Sequence, residues 1–154
     1  MASSQPDGLK LHLESVVRAR PSQVFVALTD PDQLARWWGP HGFTTSSIEL
    51  DLKVGGRYRF AMQPPEGEMF HLQGEFREVD APSRLAYTFQ WEPPDPQDLV
   101  TVVSISLSDL GGWTRLTMDQ GVFATEARRA LHEQGWSDSL ERLEAFLSSP
   151  GTSV

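Results

Sequence analysis

The residues of this chain that could do chemistry are mainly aromatic, and they suit binding better than bond making. Trp37 and Trp38 stand just before a Gly39-Pro40 break, and a second glycine–tryptophan pair occurs at Gly135-Trp136. Tryptophan is seldom fully buried and often lies at interfaces. Bulky aromatics beside a loop are therefore typical of a cavity rim, where they would contact an apolar molecule. Packing of one tryptophan on a sheet while the other anchors the loop is the alternative interpretation.

The titratable residues form no recognisable catalytic or metal-binding motif. The four histidines, His12, His41, His71 and His132, lack metal-ligand spacing, and the chain has no cysteine. No Gly-x-Ser-x-Gly elbow and no glycine-rich phosphate cradle occur. We therefore predict no catalytic residue, no metal and no cofactor. His41, in the loop after the tryptophans, is the one histidine expected near a pocket mouth, as a weak candidate for a general base.

Composition limits the classes of partner. A chain of 154 residues fits one domain with a core, and its net charge of −8 disfavours nucleic acid and anionic membranes as partners. No apolar stretch approaches the length of a membrane span, and the first residues do not resemble a secretion signal. We expect a cytoplasmic protein, either monomer or homodimer.

The periodicity of apolar residues changes twice along the chain. Residues 9–17 alternate as a strand, Pro21 begins a helix, and Asp30 caps a second short helix that runs from Pro31 to Trp37 or Trp38. Residues 43–121 then alternate with period two in about six strands joined by short turns, which predicts antiparallel pairing. After Gly121 the period becomes helical again up to Ser148.

The last helix carries an apolar stripe, and the strands carry large inward-facing aromatics. We expect the stripe to comprise Trp136, Leu140, Leu143 and Leu147, extended by Ala127 and Leu131, with Thr125 as the N-cap. A sheet with one apolar face needs a cover, and this helix is the only predicted element long enough to provide it. Strong curvature of the sheet around the helix would leave a cavity, closed at one end by the short helices.

Gly135 interrupts the last helix at its midpoint. A glycine there costs about 1 kcal/mol relative to alanine. Either tight packing on a strand or space for a ligand beside Trp136 would offset this cost, and tight packing is the expected reason. Both interpretations place this turn at the cavity wall. The domain is expected to span 9–148, with flexible tails at 1–8 and 149–154.

Five segments, in order, carry a resemblance to a known family. They are Arg20-Pro21-Ser22-Gln23-Val24-Phe25 with Leu28-Thr29-Asp30-Pro31; Leu34-Ala35-Arg36-Trp37-Trp38-Gly39-Pro40; Val54-Gly55-Gly56-Arg57-Tyr58-Arg59-Phe60; Leu85-Ala86-Tyr87-Thr88-Phe89; and Gly135-Trp136 with Leu140-Glu141-Arg142-Leu143. The chain resembles the START-like superfamily, also called SRPBCC or birch-pollen-allergen-like. More closely, it is similar to the activator of heat-shock-protein-90 ATPase homologue family.

The resemblance implies an α+β helix-grip fold: a curved antiparallel sheet of six to seven strands around a long C-terminal helix, with two short helices after the first strand. It also implies a deep, mainly hydrophobic pocket, without fixing one activity. The residues expected to bind ligand are Trp37, Trp38, Phe43, Tyr58, Phe60, Leu72, Tyr87, Phe89, Trp91, Val103, Met118, Gln120, Gly135, Trp136 and Leu140.

Three functions remain open at this point. The favoured one is non-enzymatic binding of a small hydrophobic molecule, oriented by Tyr58, Tyr87 or Gln120. The second is an enzyme resembling polyketide cyclases or aromatases, which would need ionisable groups inside the pocket. The third is a protein-interaction module of the co-chaperone kind. The eukaryotic activators of the family carry an additional domain before this one, for which the chain has no length, and this argues against a chaperone-activating role while leaving an interaction module open.

Overall fold

The order of elements agrees with the sequence pattern. A computed structural model of the chain describes residues 9–96 and 98–148, so the predicted tails lie outside the described residues. The strands are β1 (Leu9–Val17), β2 (Thr44–Leu50), β3 (Arg57–Gln63), β4 (Phe70–Asp80), β5 (Arg84–Glu92), β6 (Thr101–Asp109) and β7 (Thr114–Phe123), and the helices are α1 (Pro21–Thr29), α2 (Pro31–Trp37) and α3 (Glu126–Ser148).

The seven strands form one antiparallel sheet in the order β1-β7-β6-β5-β4-β3-β2. Strands β2 to β7 pair in sequence, and β1 adds to the far edge beside β7. The sheet curves around α3, and the two short helices follow the first strand. The predicted α+β helix-grip fold is therefore confirmed.

Two polar side chains begin helices as the sequence predicts. The Oδ2 atom of Asp30 accepts a hydrogen bond from the backbone N–H of Gln33 at 3.0 Å, which caps α2. The Oγ1 atom of Thr125 accepts one from the backbone N–H of Arg128 at 3.1 Å at the start of α3. These caps fix where α2 and α3 begin.

The buried face of α3 differs from the predicted stripe at its N-terminal end. Trp136, Leu140 and Leu143 are buried, and Leu147 is half-buried. Ala127 and Leu131, by contrast, are exposed, and His132 is buried in their place. The reason is helical geometry: His132 precedes Trp136 by four residues and shares its face, whereas Leu131 precedes it by five. No helix in the described part of the chain is long and apolar enough to cross a membrane.

Candidate ligand cavity

A cavity of about 530 Å³ lies between the N-terminal half of α3, the loop after α2 and the end of β5. Exposed prolines after β5 and the exposed side chain of Leu131 stand at its mouth. The lining residues are Trp38, Gly39, Pro40, Phe43, Met62, Phe70, Phe89, Trp91, Pro93, Pro94, Asp95, Pro96, Asp98, Arg128, Leu131, His132, Gly135, Trp136 and Ser139. The walls are thus mainly aromatic and proline side chains.

The two adjacent tryptophans have different roles. Trp37 is fully buried outside the cavity lining, and its Nε1 donates to the carbonyl oxygen of Ala27 at 2.9 Å. Trp38 lines the cavity, and its ring meets Phe60 and Trp136 edge-on, with centroids 5.2 and 4.9 Å apart. One tryptophan therefore anchors α2 in the core while the other forms a cavity wall.

Arg142 of α3 holds the loop that carries Trp38. Its Nη1 atom lies 3.3, 3.0, 3.1 and 3.3 Å from the carbonyl oxygens of Trp38, Gly39, Pro40 and Phe43. Gly39 has φ +105°, a left-handed conformation that favours glycine, so the chain turns sharply here and points these carbonyls at one cation. All four of these loop residues line the cavity, so this guanidinium shapes one of its walls.

Gly135 faces the loop rather than a strand. The nearest atom to a Cβ added at Gly135, outside its own helix backbone and chain neighbours, would be Cγ of Pro40 at 3.6 Å, an ordinary contact. The expected tight packing on a strand is therefore wrong. The absent side chain instead leaves room in the cavity beside Trp136.

His132, which is buried, and the half-buried Trp91 form a hydrogen-bonded pair in the cavity wall. The Nε1–H of Trp91 donates to Nε2 of His132 at 2.8 Å, so Nδ1 carries the histidine proton and donates it to the carbonyl oxygen of Arg128 at 2.7 Å. Burial among aromatic rings, including Phe89 and Phe123, lowers the pKa of His132. The imidazole is thus neutral, and both of its nitrogens are already hydrogen-bonded.

An ion pair ties the proline-rich loop to α3 at the mouth of the cavity. The guanidinium of Arg128 contacts Oδ1 of Asp98 at 2.7 Å, and the two side chains are only 17% and 10% exposed. Asp95 lies 3.9 Å from the same guanidinium. The positive charge at the mouth is therefore already neutralised by carboxylates.

The structure brings six of the predicted binding residues together around the cavity and leaves the others in the core. The six are Trp38, Phe43, Phe89, Trp91, Gly135 and Trp136. The others are Trp37, Tyr58, Phe60, Leu72, Tyr87, Val103, Met118, Gln120 and Leu140, all buried outside the cavity lining. Of these, Tyr58, Phe60 and Tyr87 surround a void of only about 20 Å³ on the other side of Trp38.

The polar groups expected to orient a ligand lie deep in the core. Gln120 donates to Oγ1 of Thr101 at 2.8 Å and accepts from Nε1 of Trp136 at 2.7 Å. The hydroxyl of Tyr58 donates to the carbonyl oxygen of Thr88 at 2.6 Å. Burial raises the pKa of Tyr58 and of Tyr87, so both phenols are neutral. The side-chain hydrogen bonds of Gln120 and the phenol donor of Tyr58 thus serve the core.

Several cavity residues outside the predicted set carry signals in the sequence. Phe70 is in phase with Leu72 on β4, and His132 precedes Trp136 by one helical turn. Gly39 and Pro40 belong to the tryptophan motif itself. The prolines and acids between 93 and 98 carry no such signal, because an irregular loop has no periodicity to show which side chains face inward.

His41 belongs to a surface cluster beside the cavity and is not one of its lining residues. Its Nε2 lies 2.9 Å from Oε1 of Glu141 and 4.0 Å from Oδ1 of Asp138. Potential metal-ligand atoms of these three residues lie within 4.8 Å of one another, the one such group found in residues 9–96 and 98–148. The side chains of His41 and Glu141 are more than half exposed, so the cluster is a hydrogen-bonded surface contact between the loop and α3.

Several solved structures resemble this fold. Protein CV1439 from Chromobacterium violaceum is 27% identical with a TM-score of 0.82, and the match covers 91% of this chain and 97% of that one. Protein NE0264 from Nitrosomonas europaea is 30% identical with a TM-score of 0.78, covering 94% and 97%. The AHSA1 protein from Silicibacter pomeroyi is 27% identical with a TM-score of 0.77, covering 90% and 97%. No curated protein matches the chain significantly.

A family model matches most of the chain. The match to "Activator of Hsp90 ATPase homolog 1-like protein" runs over residues 18–148. It includes the loop of residues 38–43 (the tryptophan loop), the end of β5 and all of α3, which supply most of the residues that line the cavity. The resemblance predicted from the tryptophan and glycine motifs is thus confirmed, and the chain belongs to the family of activator of Hsp90 ATPase homolog 1-like proteins.

Proposed function

We propose that this protein binds a small apolar molecule in the cavity between α3 and the tryptophan loop. The observation that carries the proposal is the cavity itself, about 530 Å³ in volume and walled mainly by aromatic and proline side chains. Small-molecule sites typically have volumes of about 300–1,000 Å³ and apolar linings with a few polar groups. A molecule of two or three fused or linked rings fits this space.

The polar groups of the wall favour binding over proton-transfer catalysis. His132 is the lining residue whose ordinary pKa lies nearest neutrality, and its two nitrogens are bonded to Trp91 and to the backbone of Arg128. Arg128 and Asp98 neutralise each other. A cyclase-like reaction would have to break one of these contacts first, whereas binding of an apolar molecule leaves all of them in place.

The experiment titrates the protein with N-phenyl-1-naphthylamine, a neutral dye that fluoresces in apolar surroundings. The dye has 17 non-hydrogen atoms, and about 0.4 kcal/mol for each atom corresponds to a dissociation constant of about 10 μM. Saturable binding at one site per chain is the expected result. Absence of saturable binding by the wild type would overturn the proposal.

Gly135 provides a matched pair of variants. Gly135→Phe should fill the space beside Trp136 and weaken dye binding at least tenfold. Gly135→Ala is the control, because its Cβ would meet Pro40 only at an ordinary contact distance of 3.6 Å. Alanine should keep binding and stabilise the helix by about 1 kcal/mol. Equal dye affinity in the phenylalanine variant and the control would place the dye elsewhere and contradict the proposal.

We also propose that this binding takes place in the cytoplasm. The chain contains no cysteine, so its fold does not depend on an oxidising compartment. A net charge of −8 is unfavourable for nucleic acid and for anionic membranes, which supports a small molecule as the main partner. Size-exclusion chromatography with and without the dye would distinguish a monomer from a homodimer.

A further inference from the structure

The charged groups in the cavity lining lie at the mouth and do not balance. Among the described lining residues they are Asp95, Asp98 and Arg128, two carboxylates against one guanidinium. His132 adds no charge, because burial lowers the pKa of its imidazole and both of its nitrogens are hydrogen-bonded. The described lining therefore carries one negative charge in excess.

The two carboxylates of the mouth differ in exposure. Asp98 lies 2.7 Å from the guanidinium of Arg128, and the two side chains of this ion pair are only 10% and 17% exposed. Breaking such an enclosed pair is costly, because it leaves a charge without compensation. The side chain of Asp95, by contrast, is 45% exposed, and its Oδ2 atom lies 3.9 Å from the same guanidinium. Asp95 is therefore the lining carboxylate that a molecule at the mouth can reach.

The surface cluster beside the cavity adds no positive excess. Asp138 and Glu141 lie on the turns of α3 that follow Gly135, and both face the imidazole of His41. Arg142, the next residue of α3, directs its Nη1 atom to carbonyl oxygens of the tryptophan loop. The two carboxylates thus balance the guanidinium and the imidazole even when the imidazole is protonated. Since the whole chain has a net charge of −8, we expect a negative potential at the mouth.

The inner wall limits where a charged group of a ligand could lie. It is formed by aromatic side chains such as Trp38, Phe89 and Trp136, and transfer of an ion into such surroundings is costly. A charged group must therefore remain at the mouth. There an anion would have to displace Asp98 from Arg128, whereas a cation can approach Asp95 and leave that ion pair in place.

We propose that the ligand is an organic cation whose apolar rings fill the cavity and whose ammonium group stays at the mouth beside Asp95. This inference rests on the proposed function, because it assumes that the cavity binds a small molecule, and it adds a chemical class to that function. An exposed ion pair changes affinity by about two- to fivefold. The apolar contacts therefore supply most of the affinity, and the charge decides between otherwise similar molecules.

The experiment compares three probes that share one ring system, 1-naphthylmethylamine, 1-naphthalenemethanol and 1-naphthylacetate. At pH 7 they carry an ammonium, a hydroxyl and a carboxylate group. Their dissociation constants are measured at low ionic strength by displacement of N-phenyl-1-naphthylamine. The amine should bind about fivefold more tightly than the alcohol, and the carboxylate about fivefold more weakly. Salt screens exposed charges, so about 0.5 M sodium chloride should bring the three constants closer together.

Asp95→Asn tests the assignment to one residue, because it removes the charge and nearly keeps the shape of the side chain. The ratio of the alcohol dissociation constant to the amine dissociation constant should fall from about five to below about two. Asp51→Asn is the matched control, since it removes the same charge from the chain. Asp51 follows β2, has a side chain that is 61% exposed and is outside the cavity lining. This variant should keep the ratio of the wild type.

The possible outcomes separate this inference from the proposed function. Equal affinity of the wild type for the amine and the alcohol, with dye binding intact, would overturn the inference and leave the binding function standing. Equal ratios in Asp95→Asn and Asp51→Asn would contradict it too, because the preference would then come from the charge of the whole chain. Failure of the wild type to bind the dye and all three probes would refute both. If Asp95→Asn does not fold, Asp95→Ser takes its place in the same comparison.

Discussion

The space between the sheet and α3 has two ends that are equally aromatic and very differently filled. Beside the short helices, the rings of Tyr58, Phe60, Phe76 and Tyr87 interlock with centroids 5.2 to 6.1 Å apart and leave a void of about 20 Å³. On the other side of Trp38, a second set of aromatic residues surrounds a cavity of about 530 Å³. Aromatic content alone therefore does not determine where a cavity forms.

The small residues that face the aromatic rings explain why one end is filled and the other is open. At the filled end, a Cβ on Gly74 would lie 1.9 Å from the backbone carbonyl oxygen of Thr88 and 2.7 Å from the ring of Tyr58, so glycine allows both the neighbouring strand and that ring to approach β4 closely. At the open end, α3 presents Gly135 and Ser139 to the cavity instead of large side chains. The same residue type thus allows close packing at one end and leaves space at the other.

The largest expected effect comes from truncating a ring at the filled end. Phe60→Ala should lower the free energy of unfolding by about 3–5 kcal/mol, because it leaves a void in a close-packed cluster. Phe70→Ala removes the same atoms from the half-buried wall of the open end. Phe70→Ala should lower the free energy of unfolding clearly less than Phe60→Ala does, and it should reduce dye affinity. Urea unfolding of both variants makes the comparison, and equal losses of stability would contradict the difference between the ends.

Most of the fold was predictable from local patterns. Alternation over 43–121 predicted the strands, and the proline and aspartate signals at Pro21 and Asp30 placed the two short helices. These features depend on neighbours in the chain, so the sequence displays them directly. The prediction that Leu131 belongs to the buried stripe of α3 is wrong. Leu131 precedes Trp136 by five residues, one more than the four that place two side chains on the same helix face.

The division of the site into two ends was not predictable in the same way. The inward faces of Tyr58 and Phe89 are equally apolar in the sequence, yet only Phe89 borders the cavity. Which ring is covered depends on residues far along the chain, such as Gly135 and the Arg128–Asp98 ion pair that holds the proline-rich loop. Alternation identifies an inward side chain but not what lies opposite it.

A second effect tests what holds the open end in shape. Arg142→Leu should lower the free energy of unfolding by about 2 kcal/mol. The carbonyl oxygens of Gly39 and Pro40 would lose the charged donor to which they are bound. It should also weaken dye binding, since the released loop carries Trp38 and Phe43. Arg142→Lys keeps a cation near the same place and should fall between leucine and wild type. Unchanged dye affinity in the leucine variant would show that the loop holds its shape without Arg142.

A smaller effect tests whether the polar groups of the filled end serve the core alone. Tyr58→Phe removes a hydroxyl that donates to the carbonyl oxygen of Thr88 at 2.6 Å. The expected loss of stability is about 1 kcal/mol, the usual net value of one hydrogen bond. Dye affinity should stay within twofold of wild type, because Tyr58 lies outside the large cavity. A larger change in affinity would mean that the two ends are coupled through Trp38.

The smallest effect is expected from pH, through His132 in the wall of the open end. Burial lowers the pKa of His132 below its ordinary value of 6.5 and outweighs the hydrogen bond to the backbone of Arg128, which raises the pKa. The charge of Arg128 lowers this pKa and the charge of Asp98 raises it. The unfolded chain therefore binds more protons below pH 6.5 than the folded one does. The contribution of neutral His132 to the free energy of unfolding is fully present above pH 6.5. It is lost as the pH falls from 6.5 through the lowered pKa of the folded state.

The comparison of wild type with His132→Gln isolates this contribution, because glutamine can still accept from Trp91 but does not titrate. His12, whose pKa is raised by hydrogen bonds to Asp119 and Glu14, opposes the trend equally in both proteins and cancels in the difference. The stability of wild type relative to the variant should fall as the pH is lowered from 7.5 to 5. Dye affinity should fall as well, because protonated His132 no longer accepts the hydrogen bond from Nε1 of Trp91. The indole ring of Trp91, which lines the cavity, is then no longer held in place. If the difference in the free energy of unfolding between wild type and His132→Gln did not depend on pH, the imidazole would be less enclosed by the cavity wall than its contacts imply.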